Sequence, residues 1–126
     1  MKKLFTSGAA WEETVGYSRA VKVRNHIEVA GTTAVKNTIV QHPGDPYLQT
    51  KYILQIISQV LKEADASMND VVRTRIYVTD ISHWKLIGKA HGEVFSKIKP
   101  ASTMVEVSAL IDPEILVEIE VTAILS

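Results

Sequence analysis

The sequence contains no cysteine. That absence excludes a disulfide framework, a thiol nucleophile and any thiolate metal site, and it suits a reducing compartment, the cytoplasm. A surplus of charge is also missing. Fourteen Lys and Arg residues balance fourteen Asp and Glu, for a formal net charge of zero, and the cations form no basic run or stripe. Without such a stripe, and without stacking aromatics, the chain argues against a nucleic-acid partner. No stretch approaches the roughly 18 apolar residues of a membrane span, so no membrane association is expected. The opening MKKLFTSGAAWEE starts basic, but its apolar run is short and Trp11-Glu12-Glu13 follows at once. A signal peptide is therefore not expected. The chain has no P-loop, no dinucleotide fingerprint, no G-x-S-x-G elbow and no H-E-x-x-H. Its four histidines, His26, His42, His83 and His91, have no metal-ligand spacing.

What is present reads as one domain over residues 1–126, with no internal repeat, low-complexity tract or linker. LFTSG opens with a short strand. YSRAVKVRNHIEVAGTTAV reads as two strands around a turn at Arg24-Asn25, where Asn tolerates left-handed backbone. QHPGDPYLQ is a loop ending in Asp45-Pro46, a helix cap followed by proline at the first helical position. Leu48, Tyr52, Ile56, Val60 and Ala64 then recur at i+4 steps, and Ile53, Ile57 and Leu61 widen the stripe. ADASMND breaks this helix. VVRTRIYVT is a strand of strong β-formers. Ser82 caps a second helix with the stripe Trp84, Ile87, His91, Val94, Phe95 and Ile98, which Lys99-Pro100 stops. STMVEVSAL is a strand, Asp112-Pro113 a turn, and ILVEIEVTAI the last strand. Strand–helix–strand units imply parallel neighbours, and two helices can cover only one face of the sheet. The expectation is an α+β layer fold with one sheet face open.

Strand alternation divides the side chains into two sets. Val72, Thr74, Ile76 and Val78 in the central strand, Val117, Ile119, Val121 and Ala123 in the last, and Val105 and Val107 in the one before it are expected to face the helices. Arg73, Arg75, Tyr77, Leu116, Glu118, Glu120, Thr122, Met104, Glu106 and Ser108 then share the open face. Ion pairs mixed with apolar groups suit a subunit interface, so a homo-oligomer joined through this face is expected.

Single residues leave alternatives open. Glu118 is either an interface ion pair with Arg75 or Arg73, or a catalytic carboxylate. Ser102-Thr103 is either a plain strand start or a ligand-facing hydroxyl pair. Tyr17 reads alone as a packed aromatic and Trp84 as helix core. His91, on an apolar helix face, reads as a satisfied core or interface histidine.

GYSRAVKVRNHIEVAGTTA, DVVRTRIYVTDISHW, PASTMVEVSAL and VEIEVTAI together resemble the RidA/YjgF family, the endoribonuclease L-PSP-like proteins, in order over nearly the whole chain. The resemblance implies a chorismate-mutase-like α+β fold, with a six-stranded mixed sheet and two helices on one face. It implies a homotrimer with a central barrel and three intersubunit clefts for small carboxylates. It also implies enamine and imine deamination to 2-oxo acids and ammonia, with no metal or organic cofactor. Carried over by position, the cleft tyrosine falls on Tyr17, the glycine on Gly31 and the water-handling glutamate on Glu118. Three positions depart. Ala30 stands for a serine, Gly88 for an asparagine, and Ser102, in PAST, for the carboxylate-binding arginine of P-A-R-[ST]. A serine hydroxyl lacks the charged, bidentate clamp of an arginine, which points to an altered substrate. Arg75, Arg73 and Arg19 are the candidates to compensate, and Thr103 completes the hydroxyl pair. The leading expectation is a cofactor-free deaminase of a small carboxylate or imine. Its rivals are a trimer that binds a small molecule without turnover, and an endoribonuclease or translation inhibitor.

Overall fold

The computed structural model describes residues 1–126. In chain order the elements are β1 (Lys2–Phe5), α1 (Ala10–Val15), β2 (Ala20–Val23), β3 (His26–Thr32), β4 (Val35–Lys36), β5 (Ile39–Val40), α2 (Pro46–Glu63), β6 (Val71–Val78), α3 (Trp84–Phe95), β7 (Ala101–Glu106) and β8 (Val117–Ile124). Six strands form one mixed sheet in the order β1-β2-β3-β8-β6-β7. All its pairings are antiparallel except β6 with β7, which α3 connects. Helix α2 links β3 to β6 across β8, which pairs with both.

The core lies between the sheet and the two long helices. Ile53, Ile57 and Leu61 of α2 and Ile87 of α3 are fully buried, together with Ile27 of β3, Val78 of β6 and Val117 and Ile119 of β8. Each such side chain contributes about 1.5–3 kcal/mol of transfer free energy. Asp45 caps α2 as expected, accepting from the Leu48 N–H at 2.9 Å, with Pro46 at the first position. Inside that helix, Gln49 is fully buried and ties two loops together. Its amide donates to the carbonyls of Gln41, His42 and Glu114, and its oxygen accepts from the Leu116 N–H at 2.9 Å.

Several expectations need correction. The stripe of α2 centres on Ile53, Ile57 and Leu61, because i+4 steps drift around a helix, and Leu48 ends at the exposed rim. The turn residue with left-handed backbone is Arg24, at φ 55°, rather than Asn25. The cap before the second helix is Asp80, which accepts from the N–H and hydroxyl of Ser82 and opens a 3-10 turn that runs into α3. Trp84 is 53% exposed and is not core. Val72 is exposed because the β6–β8 register shifts between Val71 and Arg73, which puts Val71 inward in its place.

The face assignment of β7 is inverted. Met104 pairs with inward Ile76 and packs on the core, whereas Val105 pairs with Tyr77 and is exposed. Glu106 is likewise level with inward Val78 and accepts from the Ile81 N–H at 2.9 Å. The helix α1 and the β4–β5 hairpin have no counterpart in the sequence reading.

Candidate functional site

Val117, Ile119 and Val121 are inward on β8, which sends Glu118 and Glu120 to the open face. Beside them the β3–β8 register is irregular between Val29 and Thr32, the stretch that holds Ala30-Gly31. The Glu118 carboxylate rests against Gly31, and a Cβ at that position would overlap its Oε2. Burial pushes the Glu118 carboxyl above the usual glutamate value; the nearby Arg19 charge pulls it down, and Glu120 adds to the rise.

Arg19 stands immediately before β2. Its Nη2 donates to the Gly31 carbonyl at 2.6 Å, and its Nε is buried without a hydrogen-bond partner. The guanidinium lies 5.8 Å from the Tyr17 ring centroid, within cation–π range. Helix α1 sets this geometry. Gly16 ends it in left-handed backbone at φ 88°, and the N–H groups of Gly16 and Tyr17 both donate to the Glu12 carbonyl. The Glu12 side chain is buried and accepts from the hydroxyls of Thr6 and Ser7. Burial would raise its carboxyl, but those hydrogen bonds, backed by Arg19, hold it below the usual value.

A second layer lies further along the open face. Glu120 accepts from the Tyr77 hydroxyl at 2.9 Å and sits 3.9 Å from Arg75 Nε. The hydrogen bond to Glu120, then burial, raises the Tyr77 phenol. Arg73 donates to Thr103 at 2.9 Å, and Thr122 donates to Glu28 at 2.7 Å. A shallow groove of about 910 Å³ runs over this face, lined by Tyr17, Val21, Glu28, Ala30, Arg75 and Glu120 among others.

Ser102 lies on the other side of the sheet. Its partner in register is Thr74, which is fully buried beneath α3. The two hydroxyl oxygens are 2.7 Å apart, and Thr74 Oγ1 is 3.0 Å from His91 Nε2. The half-buried imidazole packs on Phe95, with ring centroids 4.6 Å apart, and burial lowers its pKa.

The chain thus gathers Tyr17, Arg19, Gly31 and Glu118 in one place and Arg75 with Glu120 beside them. It separates Ser102 from Thr103, which point to opposite faces, so they are not a paired hydroxyl site within one chain. The ion pair of Arg75 is with Glu120 rather than Glu118. His91 is a satisfied histidine, as its place on the helix stripe suggests. Thr74 had a weak signal: it is the one hydroxyl in the inward set of β6.

Comparison with known proteins adds a consistent set of likenesses. Residues 7–125 match the family model described as endoribonuclease L-PSP. The uncharacterized protein SCO2049 of Streptomyces coelicolor is 37% identical over 117 residues, covering 93% of this chain and 87% of that protein. The 3-aminoacrylate deaminase RutC of Acinetobacter baylyi is 33% identical over 104 residues, 82% of each chain. Among solved structures, Rv2704 of Mycobacterium tuberculosis, a member of the YjgF/YER057c/UK114 family, matches with a TM-score of 0.90 at 46% identity. That match covers 99% of this chain and 100% of Rv2704.

Proposed function

The chain belongs to the endoribonuclease L-PSP family, the RidA/YjgF proteins, and from that premise we propose that it hydrolyses a small enamine or imine to an oxo compound and ammonia. The observation that carries this reading is Glu118: a half-buried carboxylate, its pKa lifted by burial, set on Gly31 beside Arg19. A carboxylate tuned upward is a better proton acceptor near neutral pH. The oxygen of water bonds to the imine carbon while Glu118 takes one of its protons. Glu118 returns that proton to the nitrogen, which gives a carbinolamine. It then takes the carbinolamine hydroxyl proton and passes it to the amine, so that the C–N bond breaks, ammonia leaves and the C=O forms. An enamine reaches the same point once its carbon is protonated. The RutC relative, a 3-aminoacrylate deaminase by name, acts on a molecule of this class.

The site is completed between copies. Ser102 and Glu118 lie on opposite faces of one sheet, so one chain cannot bring both to a single small ligand. Strand β7 is a free edge, and the open face mixes ion pairs with exposed Val72 and Val105. A homotrimer in which β7 of one copy meets the Glu118 face of the next joins Ser102 to Tyr17, Gly31 and Glu118. Arg75 and Thr103 then lie along the same seam. Binding without turnover is the second reading, favoured by Ser102, which ends in an uncharged hydrogen-bond chain rather than a cationic clamp.

A dehydratase that generates 2-aminoacrylate and 2-iminobutanoate in situ tests the reading, with the wild type, Ser102→Arg and Glu118→Gln in each background. Hydrolysis above the spontaneous rate by the wild type or by Ser102→Arg is expected, reduced about a hundredfold by Glu118→Gln. No Glu118-dependent hydrolysis in either background overturns catalysis in favour of binding alone.

A further inference from the structure

Ser102, Thr74 and His91 form a continuous chain of uncharged hydrogen-bonding groups, with spacings of 2.7 and 3.0 Å. Thr74, in the middle, is fully buried, while Ser102 is exposed on the edge strand β7. A hydroxyl can donate one hydrogen bond and accept two, and a neutral imidazole nitrogen either donates or accepts. The chain therefore runs in either direction. When Ser102 donates to Thr74 and Thr74 donates to His91, the outward lone pairs of Ser102 accept from a ligand. When His91 donates to Thr74 and Thr74 to Ser102, the Ser102 O–H points outward as a donor.

No fixed positive charge belongs to these three residues, and the cleft's own guanidinium, Arg19, stands at the Glu118 end, where its Nη2 donates to the Gly31 carbonyl at 2.6 Å. Arg73, next to Thr74 in sequence, reaches the opposite face and donates to Thr103. Arg75, also on that face, sits beside Glu120. A carboxylate placed against Ser102 would gain one neutral hydrogen bond in exchange for part of its hydration, which is a poor trade for a charged group. A carboxamide carries a C=O that needs a donor and an NH2 that needs an acceptor, and the reversible chain supplies either.

We propose that the Ser102–Thr74–His91 chain recognises an uncharged, hydrogen-bonding end group of the ligand, of the carboxamide class, where a charged clamp would select a carboxylate. The proposal rests on the reading above, in which β7 of one copy borders the Glu118 cleft of the next. It names the substrate class of that cleft: small enamines or imines whose far end is neutral.

Calorimetric titration of the intact protein with pyruvamide and pyruvate, a matched neutral and charged pair, tests it. The wild type is expected to bind pyruvamide at least about tenfold more tightly, a difference of about 1.4 kcal/mol. Ser102→Arg is expected to reverse the order. Ser102→Ala, at an exposed position that leaves folding intact, and Thr74→Val, which keeps the side-chain shape, are each expected to bring the two ligands close to parity. Pyruvate binding as tightly as pyruvamide, and lost in Glu118→Gln, overturns the neutral class while leaving the cleft in place. An amide preference that survives both Ser102→Ala and Thr74→Val overturns the role of the chain. Binding of neither ligand overturns the proposal and the cleft together.

Discussion

The carboxylate of Glu118 rests on the bare Cα of Gly31, so closely that no side chain can stand between them. Arg19 holds the carbonyl of the same glycine at 2.6 Å. Position 31 therefore sets both the place and the surroundings of the carboxylate. Gly31→Ala is expected to push the Glu118 carboxylate off its seat with little change in stability, because the atoms it would meet are the end of a flexible side chain and no backbone. Chemical denaturation checks the stability, and the hydrolysis assay should show a loss close to that of Glu118→Gln.

Glu118 ties stability to pH with a definite sign. Its folded-state pKa lies above the value of 4.5 for a free glutamate, so the folded chain holds the proton more tightly than the unfolded one. Its contribution is fully present below pH 4.5 and is lost as pH rises through the folded pKa. Glu118→Gln is therefore expected to be more stable than the wild type at neutral pH, with the difference shrinking toward pH 4.5. Melting temperatures of the two proteins across that range measure it. A stabilised but inactive variant is the pattern of a group held for function at the expense of the fold.

Arg19 opposes the effect of burial on Glu118. Arg19→Gln is expected to raise the Glu118 pKa further and to move the acid limb of the pH–rate profile to higher pH. Loss of the hydrogen bond to Gly31 should cost about 1 kcal/mol in stability. Carbon-13 NMR of the labelled Glu118 carboxyl reads the titration directly.

His91 carries the opposite sign to Glu118. Burial lowers its pKa from 6.5, so its neutral form belongs to the folded state. Its contribution to stability is present above pH 6.5 and is lost as pH falls through the folded value. His91→Gln should remove that dependence, visible as a smaller drop in melting temperature between neutral and mildly acidic pH.

Gln49 is a structural counterpart. It is fully buried and joined to the Gln41, His42, Glu114 and Leu116 backbones. Gln49→Leu is expected to cost about 3 kcal/mol, because buried backbone groups lose their partners. Urea denaturation measures it, and the order of pyruvamide and pyruvate binding should be unchanged.

The sequence showed the strand and helix order well because its signals are local: period-two runs in the strands, the Asp45-Pro46 cap and the breaks after both long helices. The β8 faces also followed from alternation, so Glu118 and Glu120 were placed correctly. Alternation failed where the register is not local. The shift at Val71/Arg73 turned Val72 outward, and the parallel pairing of Thr74 with Ser102 decided which way β7 faces. Nothing in PASTMVEV itself distinguishes the two orientations. Helix α1 escaped notice because it is only six residues long and polar, yet it presents Tyr17 to Arg19. Thr74 escaped because a threonine within an apolar set reads as a β-former until its neighbours across the sheet and from α3 are known.

The proton acceptor is tested most directly by the pH dependence of 2-iminobutanoate hydrolysis, measured above the spontaneous rate for the more active of the wild type and Ser102→Arg. Glu118 predicts an acid limb with its midpoint above the ordinary glutamate value, and the loss of both limb and rate in Glu118→Gln. An unchanged rate with the same limb in Glu118→Gln contradicts it and moves the chemistry to another group.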